Sequence, residues 1–409
     1  MNIVVATDFA YVNGGASNIA LGSAKGLAAR GHQVILFSAV GPVAEDLQDV
    51  PGLSHVCLDQ IDVWRDPNRL RAAARSVWNQ AAARHLAEVL APLDATRTIV
   101  HVHSWTKALS SAVVRVAASR GFQVVITLHD FFSVCPNGTF FHYRKGQRCH
   151  LRPLSVACVT SNCDANSYGH KLWRVGRQIV QRSLGLPPPG GDFVSVSAAS
   201  EPILKKFLPP GSRLHQVQNF TEMPRSERVP VDRNNSLIYI GRLSAEKGPH
   251  LLAECARRLS APVVFVGAGP SETAVRKQCP WAEVTGWLSA VEVRDRLRAA
   301  RALVFPSLWF ETQGLVVAEA AAMGVPSIVP DTSAARDWVT HGVTGLWFKG
   351  GNINDLCRQV ARVMAEPACA AQMGQAAYRT FWSAPPTLDR HVRRLEDVYG
   401  SILAGRNGA

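Results

Sequence analysis

Hydrophobic positions in this chain form two kinds of run that take turns. Short blocks rich in Val and Ile lie at residues 3–7, 34–37, 98–103, 123–128 and 193–197. Between them run Ala-rich stretches with apolar residues three and four apart, such as 16–30 and 68–90. A compact apolar block reads as a buried strand, and a 3.6-residue period reads as a helix with one buried face. Their alternation predicts parallel strands joined by crossover helices, an α/β sheet. The 68–90 stretch reads as one such crossover helix.

The pattern stops and then restarts. Residues 221–235 (TEMPRSERVPVDRNN) are polar, hold two prolines and show no period, so they read as a linker. Beyond them, strands are expected at 236–241, 262–267, 302–306 and 326–330, with helices at 249–259, 292–300 and 314–323. The tail after Pro386 sets Leu388, Val392, Leu395, Val398 and Leu403 on one helical face. The expected organisation is a first α/β domain over 1–220, with a Cys-bearing insert at about 131–170, and a second over 236–380. A closing helical segment, 381–409, completes the chain. Two doubly wound sheets place a ligand cleft between the carboxyl ends of their strands.

Composition narrows the class. The 409 residues are 47% hydrophobic and 18% charged, which excludes a disordered or fibrous chain and suits two globular cores. Apolar runs are interrupted: 314–330 holds Glu319, Gly324, Pro326 and Pro330, so no membrane-spanning helix is expected. Met1-Asn2-Ile3 enters a strand directly, and a cytoplasmic location is the expectation. Nine cysteines, an odd number, argue against a disulfide framework. The net charge is +13, and residues 1–220 carry 22 Lys/Arg against 13 Asp/Glu, or +9 of it. That excess suits an anionic partner such as a lipid diphosphate or an anionic membrane surface. No basic run interleaved with aromatics and no paired Cys/His finger points to nucleic acid.

Candidate chemistry sits at strand ends. In the first half, Asn13-Gly14-Gly15-Ala16-Ser17 forms a Gly-rich βα turn whose backbone can approach a ligand closely. It lacks the G-x-G-x-x-G spacing of dinucleotide-binding turns, and the second strand ends in Phe37-Ser38 rather than an acid. His101, His103, His129 and Asp130 close two further strands, His129 being the best placed. In the second half, Arg242 and Lys247 stand five residues apart in a turn, where both can reach a phosphate cluster. Glu311 and Glu319 flank Thr312, Gln313, Gly314 and Leu315. Glu311 is expected in a loop, and Gly314 lets the chain enter a helix whose first amides face an anion. Glu319 falls one turn inside that apolar helix, a costly position unless its carboxylate is partnered.

Taken in order, the Gly-rich first turn, the strand-end His-Asp, the G-R-x-x-x-E-K-G turn, the V-F-P-S strand end and the E-x7-E segment resemble the retaining, nucleotide-sugar-dependent glycosyltransferases of family 4, with the two-domain GT-B fold. The resemblance runs from Asn2 to about Ala365. It implies that Arg242 and Lys247 bind the donor diphosphate and take up leaving-group charge in place of a metal ion; no D-x-D pair occurs in the chain. It implies that Glu319 holds ribose hydroxyls, and that Glu311 with the amides of 312–315 holds the donor sugar and phosphate. Gly14 and Gly15 would approach the diphosphate from the other domain, and His129 would lie near the anomeric centre. Ser17, His103 and Asp130 fall on the acceptor side. A covalent nucleophile is not assigned to Glu311. In this fold the last helix packs back on the first domain.

The chain departs from the family pattern in places. Where many relatives have Gly-Gly-x-Pro-Glu, this chain reads Asp331-Thr332-Ser333-Ala334-Ala335-Arg336-Asp337-Trp338, with Asp337 at the position of the Glu. Cys135, Cys149, Cys158 and Cys163 cluster in the insert. They offer either a structural zinc site, though without tight C-x2-C knuckles, or unligated thiols. The expected activity is transfer of a sugar from a nucleoside diphosphate to a glycan or lipid-linked acceptor, with no catalytic cofactor. A nicotinamide-dependent oxidoreductase and an inactive sugar-nucleotide-binding protein are the alternatives.

Overall fold

A computed structural model describes residues 1–407; the last two residues of the expected 381–409 segment lie outside it. The first sheet contains β1 (Asn2–Phe9), β2 (Gln33–Val40), β3 (Leu53–Cys57), β4 (Thr98–Val102) and β5 (Gln123–Thr127). A small hairpin, β6 (Phe141–His142) and β7 (Gln147–Arg148), precedes its last strands, β8 (Asp192–Ser195) and β9 (Arg213–Gln216). The order is β3-β2-β1-β4-β5-β8-β9, every pairing parallel. The second sheet contains β10 (Ser236–Ile240), β11 (Val263–Val266), β12 (Glu283–Gly286), β13 (Ala300–Val304), β14 (Ser327–Pro330) and β15 (Gly345–Phe348). Its order is β12-β11-β10-β13-β14-β15, again parallel. Both sheets reverse direction beside their first strand, which puts the ends of β1 and β10 at ligand crevices.

Parallel strands covered on both faces must be apolar throughout. In β1 every residue after Asn2 is buried. One face of the first sheet packs on the helices Gln80–Leu90 and Ala112–Ser119. The other packs on the helix Gly15–Ala29 and on the terminal helix Leu388–Asn407, whose Val392, Leu395, Tyr399 and Ile402 join Ile3, Val5 and Ile99. The return of the last helix to the first domain is as the resemblance implies. Arg30 and His32 fix its outer side through Glu396, at 2.9 and 2.7 Å.

The expected single helix over 68–90 is two, Arg69–Val77 and Gln80–Leu90. Asn79 breaks it: its buried side chain accepts from Ala82 N at 3.1 Å and donates to Ala108 O at 2.8 Å. An Asn that caps one helix cannot continue the one before it. The insert also outruns its expected limit, because it ends in the helix Tyr168–Ser183.

Candidate active site

The β10 strand delivers the two cations. Arg242 Nη2 donates to Glu246 Oε1 at 2.6 Å, and Ser244 Oγ donates to the same oxygen at 2.7 Å. Glu246 is buried, and its carbonyl accepts from the amides of Leu308 and Trp309 beyond β13. Lys247 Nζ pairs with Glu311 Oε2 at 2.7 Å and lies 4.8 Å above the Trp309 ring. The same Glu311 oxygen accepts from Trp309 Nε1 at 2.8 Å and Ser307 Oγ at 3.2 Å. Gly248 is essential to this turn. Its φ is +68°, and a Cβ there would stand 2.2 Å from Pro306 O, so only glycine lets the Lys247 turn close on the Glu311 loop.

Glu311 stands in a loop, and Gly314, at φ +74°, opens the helix Leu315–Ala322. Among the described residues no carbonyl accepts from the amides of Thr312, Gln313, Gly314 or Leu315, so they form an open donor set at a helix start. Gln313 is buried with both side-chain amide atoms unpaired. Glu319 is half-buried one turn into the helix, without a hydrogen bond or ion pair to Arg242, Lys247 or Glu311. Burial raises its pKa, and Arg294 opposes the rise.

The first domain brings up the opposite wall. Thr312 Oγ1 donates to His129 O at 3.1 Å across the cleft, and Phe310 packs edge-on against Phe140 and His150. Asp337, at the departed family position, accepts from Ala199 N at 3.1 Å and so also spans the lobes. His129 Nε2 bonds His103 Nδ1 at 3.0 Å, while His101 bonds Tyr399 Oη at 2.5 Å and Thr127 Oγ1 at 2.7 Å. Burial holds these imidazoles neutral: His129 and His101 fall to about 3 and His103 well below its ordinary value. Burial also pushes Asp130 up to about 6. A Cβ added at Gly14 or Gly15 would meet no atom within 4 Å, so the turn fronts open space. Ser17 departs from expectation. It is buried, donates to Gly14 O at 3.0 Å and accepts from Asn13 N at 2.7 Å, so its hydroxyl shapes the turn instead of facing an acceptor.

Two residues without an assigned role in the sequence prove structural to the site. Glu246 aims Arg242. Asp8, buried at the end of β1, accepts from the amides of Lys107, Ala108 and Leu109 and fixes the loop after β4.

The zinc reading of the insert gains no support. Cys135, Cys149, Cys158 and Cys163 do line one small cavity of about 10 Å³, but the buried Lys171 shares it, with Nζ 3.5 Å from Cys158 Sγ. An ammonium occupies the place a cation would need, and burial pushes the Cys135 and Cys149 thiols up, toward the protonated form that binds metal poorly. Among the described residues no group of three Cys, His, Asp or Glu could hold a metal ion.

Two family models match, "Glycosyl transferase 4-like domain" over residues 14–167 and "Glycosyl transferases group 1" over 221–380. A D-inositol 3-phosphate glycosyltransferase of Nocardiopsis dassonvillei is 29% identical over 220 residues, covering 49% of this chain and 51% of that protein. The putative teichuronic acid biosynthesis glycosyltransferase TuaC of Bacillus subtilis is 29% identical over 341 residues, covering 81% and 74%. Against four curated relatives, the Nocardiopsis protein included, the chain spans between 34% and 59% of their length. Among solved structures, sucrose-phosphate synthase from Thermosynechococcus elongatus superposes with a TM-score of 0.73 at 18% identity, covering 99% of each chain. Anabaena HepE in complex with UDP-glucose gives 0.66 at 14%, covering 98% and 100%. Both likenesses are of fold, the GT-B arrangement of two Rossmann-like lobes.

Proposed function

The chain belongs to the family 4 (GT4) glycosyltransferases, and on that premise we propose that it is a retaining enzyme moving a sugar from a nucleoside-diphosphate donor to a glycan or lipid-linked acceptor in polysaccharide or glycolipid assembly. One observation carries this reading. Arg242, Lys247, Glu311 and the free amides of residues 312–315 gather at one cleft wall, facing His129 on the other lobe.

Such a wall suits a pyrophosphate ester. The amides and both cations stabilise charge as the bond from the anomeric carbon to the diphosphate breaks, the work a divalent metal does elsewhere. Glu311 tethers Lys247 and orients sugar hydroxyls. Glu319 takes the ribose, Gly14 and Gly15 close over the diphosphate, and His129, neutral at pH 7, sits by the anomeric carbon. The acceptor hydroxyl attacks from the first domain on the leaving-group side, its proton passing to the departing phosphate oxygen. Orientation supplies the remainder of the rate. HepE, by its name, binds UDP-glucose, which favours a nucleotide-sugar donor here.

We take 1–220 as the acceptor domain, 221–235 as linker and 236–380 as the donor domain. No helix among the described residues is long and apolar enough to cross a membrane. The charge excess of the first domain favours work at the cytoplasmic face of an anionic membrane, which sedimentation with anionic and neutral liposomes tests. The relatives favour neither the nicotinamide-dependent nor the inactive alternative. The deciding experiment is release of nucleoside diphosphate from a panel of nucleotide sugars without acceptor. Wild type should release it from at least one donor and Lys247→Ala at least about a hundredfold more slowly; equal rates refute the assignment.

A further inference from the structure

Between the insert and the second domain lies a cavity of about 820 Å³, with Arg242 and Glu246 on one wall and Trp64, Lys107, Arg174 and Arg177 on the other. Its most telling group is Arg177. The side chain is 6% exposed, sandwiched between Phe132 and Trp173 at 5.2 and 5.3 Å, and among the described residues no carboxylate pairs with it. Its Nε is buried without an acceptor.

The neighbouring cation is accounted for: Arg174 pairs with Asp164 at 3.3 Å and donates to Asn137 Oδ1 at 2.6 Å. The acids that act on Arg177 from a distance are Asp130 and Asp8. Asp8 is committed to three backbone amides, and Asp130 accepts from Phe132 N at 2.9 Å. Burial and Arg174 lower the Arg177 pKa to about 10, which leaves it charged at pH 7. Residues 131–183 repeat this imbalance, with eight Lys/Arg against one Asp. A buried, unpaired guanidinium is costly, and an arriving counter-ion would relieve that cost.

We propose that this cavity is the acceptor subsite and takes an acceptor bearing an oxyanion, a phosphate ester or a uronate carboxylate, bound by Arg177. Assignment as acceptor subsite rests on the glycosyltransfer reading above; the anion site itself does not. The planar fork of Arg177 suits either oxyanion in a bidentate contact, and Trp64 offers a face for the attached sugar ring. Because Arg242 lines the same cavity, an anion held there lies beside the reaction centre.

Tryptophan fluorescence of the full chain, titrated with glucuronate, glucose 1-phosphate and glucose, tests this. Wild type should bind one or both anionic sugars at least about tenfold more tightly than glucose. The anion preferred identifies carboxylate or phosphate. Arg177→Met should lose the preference, and Lys247→Ala should keep it. If Arg177→Met does not fold, Arg177→Lys, which replaces the fork with a point charge, is judged by the same loss. Equal binding of charged and neutral sugars overturns the inference. So does a preference that survives loss of Arg177 but vanishes in Lys247→Ala, since the anion then sits in the donor pocket. Donor hydrolysis by wild type, measured alongside, separates the two claims. An Arg177-dependent preference without hydrolysis leaves the anion site and removes its glycosyltransfer role; hydrolysis without the preference removes only this inference.

Discussion

Acidification from pH 7 to pH 5 should destabilise the first domain strongly, because four buried histidines, three within it and His391 in the terminal helix packed on it, fold as neutral groups. Burial lowers His101 and His129 to about 3 and His391 to about 4, and holds His103 well below its ordinary value. An unfolded histidine, with a pKa near 6.5, is mostly protonated at pH 5 and mostly neutral at pH 7. The native state binds fewer protons, so stability is full above about 6.5 and falls as pH drops toward the folded values. His101, His129 and His391 then cost about 2 kcal/mol each between the two pH values, about 6 in all, and His103 adds to that loss. Asp130 works the other way. Raised to about 6, it gains a proton in the folded state and returns about 1 kcal/mol. Asp8, also raised by burial, adds to that return. The net loss is on the order of 6 kcal/mol, comparable with the whole stability of many domains. Guanidinium unfolding at pH 7.0 and 5.0 measures it, and His129→Asn should reduce the difference by about 2 kcal/mol. A wild-type difference below about 2 kcal/mol, or imidazole proton resonances titrating near 6.5, would refute the reasoning.

Further outcomes follow from single contacts. Gly248→Ala should lower the thermal midpoint and cost at least about 2 kcal/mol, since it meets both the left-handed backbone and Pro306 O. Tyr399→Phe strands a buried ring nitrogen of His101 and should cost about 1–3 kcal/mol in chemical unfolding. Glu246→Ala releases Arg242 and should raise the KM for the nucleotide sugar about tenfold, read in steady-state diphosphate release. Because Arg242 and Lys247 supply the cationic charge, transfer should proceed unchanged in excess EDTA, which initial rates with and without chelator check.

Much of this architecture was legible in the chain because buried parallel strands are apolar over most of their length, as in residues 3–6 of β1 and 237–240 of β10. The strands that escaped detection are β3, β9, β12 and β15, all at sheet edges, and the two-residue hairpin strands β6 and β7. Edge strands are short, and sequences such as RLHQ or EVTG carry no strand period. The break at Asn79 was hidden for a different reason: the side chain that caps the second helix through Ala82 N is also held by Ala108 O, distant in sequence. Within the site, residues whose chemistry follows from local turn geometry, such as Lys247, Glu311 and Gly314, could be picked out. Ser17 could not be judged, since a hydroxyl beside a Gly pair serves turn or ligand equally well. Arg177 carried no signal at all: in sequence it is one more arginine on a helix, and only the packing of Phe132 and Trp173 around it marks it out.

The polypeptide passes between the lobes twice, through 221–235 and again just before the terminal helix, and the two passes touch, Thr221 N donating to Pro386 O at 2.9 Å. Two strands of rope tied at a single knot leave a book free to open but not to slide. A swing of one lobe from the other about that knot strains the Thr312–His129 and Ala199–Asp337 links and spares the core that the last helix shares with β1.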